Sequence, residues 1–147
     1  MLAQKFIPLG TGMSRPQTQS AGATTILAVD DDRTVLGLVQ AILQSAGYSV
    51  LLADGGRSAI EVFDSAVRPV HLLLTDVIMP DLTGPVVAEK LRARQPDLLV
   101  LFMSGFHDAD MVQRFVTDQG FNLLTKPFTV QSLLRSVQNV LTLRAGG

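Results

Sequence analysis

Six side chains in this 147-residue sequence could act together on one charged group: the run Asp30-Asp31-Asp32, then Asp76, Ser104 and Lys126. Taken singly, each has an ordinary role. Asp31 or Asp32 would cap a helix start, Ser104-Gly105 would make a turn, and Lys126 would be solvated. Together they have a sharper chemistry. Two unit charges about 4 Å apart repel by ~4 kcal/mol at an effective dielectric near 20. Asp30, Asp31 and Asp76 therefore need cations if all three are to stay ionised side by side. Lys126 brings one positive charge, and a divalent metal would bring the rest. Every candidate ligand is a hard oxygen, which disfavours zinc. Calcium would ask for more protein oxygens, whereas Mg²⁺ keeps part of its water shell and suits a few carboxylates. With a dication, an ammonium and a hydroxyl around it, Asp76 is equipped to attack phosphorus and become an aspartyl phosphate.

For these residues to meet, the chain must carry them to one edge, and the hydrophobic pattern says how. Apolar runs at 25–30 (TILAVD), 48–53 (YSVLLA), 70–76 (VHLLLTD), 98–104 (LLVLFMS) and 121–125 (FNLLT) read as five strands. Between them, apolar residues at helical spacing predict helices over 33–46, 56–67, 85–94 and 108–119. The inward positions are Val35, Leu36, Val39, Ile42 and Leu43 in the first, and Ile60, Phe63 and Val67 in the second. Val86, Val87 and Leu91 follow in the third, and Met111, Val112 and Phe115 in the fourth. A last helix carries Val130, Leu133, Leu134, Val137, Val140 and Leu141. Near-continuous apolar strands alternating with helices imply a parallel sheet covered on both faces. Right-handed crossovers put all carboxyl ends on one edge, where such sheets bind ligands. Asp30–Asp32, Asp76, Ser104 and Lys126 all fall at strand ends.

Composition narrows the function classes. The formal net charge of −1 provides no field to recruit nucleic acid or an acidic membrane. With no cysteine there is no disulfide, thiolate metal site or thiol nucleophile. No apolar run approaches the ~20 residues of a membrane span, and MLAQKFIPLG lacks the apolar core of a secretory signal. The expectation is a soluble, cytoplasmic protein. Residues 1–24, polar and without periodicity, read as a flexible tail or linker ahead of a folded unit at 25–144.

Four ordered motifs, ILAVDDD (26–32), LLLTDVIMPDLTG (72–84), VLFMSGF (100–106) and LLTKPF (123–128), resemble the response-regulator receiver domain of two-component signalling. The likeness covers roughly residues 25–143 and is similar to receivers of hybrid sensor histidine kinases. It implies a flavodoxin-like doubly wound (βα)5 three-layer sandwich with a parallel sheet of order 2-1-3-4-5. By position, Asp76 is the implied phosphoacceptor, and Asp30 and Asp31 position Mg²⁺ with Asp76 and the main-chain carbonyl of Ile78. Ser104 is the implied switch hydroxyl and Lys126 the phosphate-pairing lysine. A cis bond before Pro127 is implied too, and Pro80 and Gly84 shape the loop after Asp76. The implied donor is a phosphohistidine of a sensor kinase or phosphotransfer protein, and the implied output is altered protein binding.

The sequence departs from the family pattern in informative places. Leu123 stands where an aromatic residue is common, which removes the ring usually coupled to the switch hydroxyl. No acid follows Asp118, so the charged set behind one family dimer is incomplete and a monomer or weak dimer is expected. Ile78 and Phe106, two residues beyond Asp76 and Ser104, cannot orient an attacking water, so slow loss of phosphate is expected. Phe121 and Phe128 read as packing residues, and His71 and His107 as solvated or hydrogen-bonded. Other functions fit poorly. An aspartyl-phosphate hydrolase would want an acid at position 78 and a cap domain, and a nucleotide-binding module would want a glycine-rich loop after the first strand. With the sequence reaching Gly147 just past the last helix, no DNA-binding domain is expected. A single-domain regulator or the receiver of a larger protein is expected.

Overall fold

Five short apolar runs become five parallel strands, each followed by a helix. The computed structural model describes residues 23–105, 109–112, 114, 116 and 120–146. Strand β1 is Thr25–Val29, β2 Ser49–Ala53, β3 Leu72–Asp76, β4 Leu99–Ser104 and β5 Asn122–Thr125. The helices are α1 (Arg33–Ser45), α2 (Gly56–Ser65), α3 (Gly84–Arg94), α4 (Ala109–Val112) and α5 (Val130–Gly146). The sheet order is β2-β1-β3-β4-β5, all parallel, as the family resemblance implied. None of the described helices is long and apolar enough to cross a membrane.

Strand alternation divides the core in two. Leu27, Val29, Leu73, Val100 and Phe102 point to the face covered by α2 and α3, where Ala59, Val87, Ala88 and Leu91 meet them. Ile26, Ala28, Leu72, Leu74, Leu101 and Met103 point to the other face, under Leu36, Val39, Ile42 and Leu43 of α1 and Leu133, Val137 and Val140 of α5. The three-layer sandwich follows directly.

Local signals set the helix ends. The Asp32 carboxylate accepts from Thr34 N at 2.9 Å and Val35 N at 3.4 Å, so Asp32 is the N-cap of α1 and Asp31 is left for other work. Gly47, at φ 97°, stops that helix in the left-handed region that favours glycine. Thr83 caps α3, which has Pro85 in its first turn. At the start of α5, Ser132 N donates to Thr129 Oγ1 at 3.0 Å and Thr129 N donates back to Ser132 Oγ at 2.9 Å, a reciprocal capping box.

Two expected inward residues are not inward. Val67 is 98% exposed: α2 ends at Ser65 and Ala66 turns extended, so helical spacing no longer carries Val67 to the sheet. Val130 is 53% exposed, being the first residue of α5 and ahead of the turn that meets the strands. Phe106, His107 and Phe115, like most of the expected N-terminal tail, lie outside the described residues. Of the other aromatic residues, Phe121 packs edge-on against Phe102 with centroids 5.3 Å apart, and Phe128 packs against the α1–α5 side of the core. Histidine 71 is hydrogen-bonded, its Nδ1 accepting from Thr25 N at 2.9 Å.

Candidate functional site

The chain leaves β1 toward β2 on one side of the sheet, and β3 then returns to the other side of β1. This reversal is where a doubly wound sheet opens a crevice at its carboxyl edge. Asp30 follows directly on β1, Asp76 ends β3, Ser104 ends β4, and Lys126 follows β5. The register aligns these ends: Asp76 pairs with Met103, and Ser104 with Thr125. Three main-chain bonds extend the ladder past the strands at this edge, Asp30 N to Ala53 O at 3.2 Å, Val77 N to Met103 O at 3.0 Å and Lys126 N to Ser104 O at 2.8 Å.

The side chains converge. Lys126 Nζ donates to Asp30 Oδ2 at 2.7 Å and stands 3.3 Å from Asp76 Oδ2. Asp30, Asp76 and Ser104 are buried, whereas Asp31 is exposed. One carboxylate oxygen from each of Asp30, Asp31 and Asp76 lies within 4.8 Å of the other two. Asp30 Oδ1 also accepts from Asp32 N at 2.9 Å, so main chain and lysine fix this carboxylate from opposite sides. A carboxylate has about four lone-pair directions, so both bonds leave room for a further ligand.

Burial alone would push the Lys126 ammonium toward its neutral form. The hydrogen bond to Asp30 and the charges of Asp76 and Asp30 outweigh it and hold the lysine above its ordinary value. Lys126 is therefore a fixed cation at neutral pH. Three carboxylates against one ammonium leave two negative charges in the cluster, which one dication would neutralise. The donor set fits a hard ion such as Mg²⁺.

The loop from β3 to α3 is built tightly. Gly84 N donates to Val77 O at 2.7 Å, and a Cβ at Gly84 would overlap the Asp76 carbonyl oxygen. Val77 and Met79 are buried, while Ile78 is 41% exposed on the outer side. Leu123, in place of the common aromatic, packs against the core on the α2–α3 side and pairs with Phe102.

Sequence reasoning passed over Asp81. Its Oδ1 accepts from Gly56 N at 3.0 Å and Leu82 N at 2.8 Å, and its Oδ2 from Arg57 N at 2.9 Å. The bonds from Arg57 and Gly56, with that from Leu82, hold this carboxyl below the usual carboxylate range. The available signal was indirect: α2 begins at glycines with no capping side chain of its own.

A doubly wound α/β domain with paired acids and a lysine at its switch point has the form of a signalling phosphoacceptor. This chain belongs to the response regulator receiver domain family, whose family model matches residues 26–138. The sensor kinase CckA of Brucella abortus is 34% identical over 122 residues, 83% of this chain and 13% of that kinase. The response regulator receiver protein CpdR of the same organism is 31% identical over 116 residues, 79% of this chain and 95% of CpdR. The chain thus spans a small part of the first relative and nearly all of the second. Among solved structures, a receiver domain protein from Clostridium thermocellum superposes with a TM-score of 0.75 at 25% identity, covering 83% of this chain and 97% of that one. The chemotaxis protein CheY4 of Vibrio cholerae matches with a TM-score of 0.72 at 28% identity, over 81% and 99%.

Proposed function

We propose that Asp76 accepts a phosphoryl group from a phosphohistidine of a sensor kinase or phosphotransfer protein. The observation that carries this reading is the position of Lys126 Nζ, bonded to Asp30 and 3.3 Å from Asp76. In the transfer, the donor's N–P bond breaks as an Asp76 carboxylate oxygen forms the O–P bond. The electron pair remains on the imidazole, which then takes a proton from solvent. Lys126 keeps its charge through the transfer and pairs with a phosphoryl oxygen. The Ser104 hydroxyl donates to another phosphoryl oxygen and draws the end of β4 toward it. Asp30, Asp31, Asp76 and the Ile78 carbonyl would hold Mg²⁺, which supplies charge to the transferring oxygens when bound.

In this reading residues 25–144 form the receiver unit, and its only catalysis is its own phosphorylation and dephosphorylation. It works in the cytoplasm, where ATP-dependent kinases load their histidines, as a monomer or weak dimer. A new dianion at Asp76 then biases a protein-binding surface. The exposed Ile78 side chain supports slow loss of phosphate, since it offers no group to orient water. Incubation with acetyl phosphate tests the assignment. Covalent phosphate is expected with Mg²⁺ and absent after chelation, and absent throughout in Asp76→Asn. Equal labelling of Asp76→Asn would overturn it.

A further inference from the structure

The loop that joins Asp76 to α3 is held at more places than a connection of its length requires. At its start Val77 extends the ladder to Met103, and Val77 and Met79 are buried. At its end Gly84 is fastened to the Val77 carbonyl. Between them, Asp81 reaches sideways to another element altogether. Its carboxylate takes the first main-chain donors of α2, Gly56 N and Arg57 N, and the following Leu82 N. Those helix donors have no partner from their own segment, because the N-cap is Gly55 and the first turn has no acid. The contact is also close-packed: a Cβ at Gly56 would lie 2.6 Å from Leu82 Cβ, so a residue larger than glycine would push the loop away.

We propose that Asp81 is a positioning residue for the metal and phosphoryl site. By tying the middle of the 77–84 loop to the first turn of α2, it holds the Ile78 carbonyl and the Asp76 end of β3 in place. The inference rests on the reading of Asp76 and Ile78 given above. The physical basis is that a main-chain ligand has no rotamer of its own; its direction is set by the peptides on either side. Val77 and Met79 fix that stretch from the sheet side. Asp81 fixes it laterally, through a carboxylate whose hydrogen bonds from Arg57 N, Gly56 N and Leu82 N hold it below the usual carboxylate range. Without the Asp81 carboxylate the peptides from 78 to 82 would gain freedom, and the site would have to order them whenever it bound a cation.

The test compares the full chain with Asp81→Ala and Asp81→Asn. Mg²⁺ affinity is measured from the amide NMR shifts of Val77 and Ile78, and stability from thermal unfolding without metal. Partners one step behind a ligand usually matter about 10–100-fold in metal affinity, and Asp81 acts through intervening main chain. Asp81→Ala is therefore expected to bind Mg²⁺ about three- to tenfold more weakly. Asp81→Asn, which keeps one oxygen acceptor, should recover part of the loss. With acetyl phosphate, the Mg²⁺ needed for half-maximal labelling should rise by the same factor. A lower Tm with unchanged Mg²⁺ affinity would make Asp81 a helix cap and nothing more, and would overturn the proposal. No change in either quantity would overturn it as well. If Asp81→Ala does not fold, Asp81→Asn carries the same comparison. A parent chain that binds no Mg²⁺ overturns the functional reading itself, and the role of Asp81 with it.

Discussion

Asp30 and Asp81 are both carboxylates at the carboxyl edge of the sheet, yet their surroundings give them opposite uses. Asp30 is buried and shares Lys126 with Asp76, so its charge is balanced inside the cluster. Asp81 lies at the surface and is balanced by main-chain donors at a helix start. Its folded pKa is depressed, so the unfolded chain binds the proton more readily and stability rises with pH in that window. The Asp81 contribution is present above the ordinary carboxylate value of about 3.9 and is lost as pH falls through the lower folded value. The Tm gap between the parent chain and Asp81→Ala should therefore be open at pH 7 and close as pH drops below about 4. Thermal scans across that range check it; a gap that widens in acid would contradict the assignment. The acids of the site were legible in the sequence because each directly follows an apolar strand. Asp81 was not, because its partners Gly56 and Arg57 lie 25 and 24 residues away and a pair of glycines looks like a simple turn.

Among elements, two glycines make opposite predictions. A Cβ at Gly84 would run into the Asp76 carbonyl oxygen, which is backbone and has nowhere to go without moving β3. Gly84→Ala should cost about 1–3 kcal/mol, the usual range for overpacking, and should slow labelling by acetyl phosphate. Gly37 sits mid-helix in α1 with nothing within 4 Å of a built Cβ. Gly37→Ala should raise stability by about 0.5–1 kcal/mol and leave labelling unchanged. Chemical denaturation and a phosphorylation time course measure both pairs of quantities. The strands and most inward helical positions could be read from apolar spacing, since burial on both sheet faces demands it. Helix ends were harder. Val67 continues the 3.6-residue pattern of α2, but Ala66 has already left helical geometry, and periodicity carries no signal for that turn.

At the scale of the molecule, folding gathers the carboxylates of Asp30, Asp31 and Asp76 at one edge, so a cation that binds among them should stabilise the fold. With Mg²⁺ at 100 times its dissociation constant, mass action gives about 2.7 kcal/mol, reversed by chelation. Thermal unfolding with and without Mg²⁺ tests this, and Asp30→Asn should reduce the gain. Strand order came from the family resemblance rather than from periodicity, because alternation reports burial and not neighbours. That order has a consequence for how the site comes apart. Asp76 rises from the middle of five strands, whereas Lys126 follows an edge strand of four residues, of which Asn122 and Thr125 are exposed. Local opening should begin at the margin and reach the centre last. Amide hydrogen exchange is thus expected to be fast at Asn122–Thr125 and slowest at Leu72–Asp76. The acceptor would then keep its footing while its counter-charge swings away, so the lysine is the component that breathing of the sheet removes first.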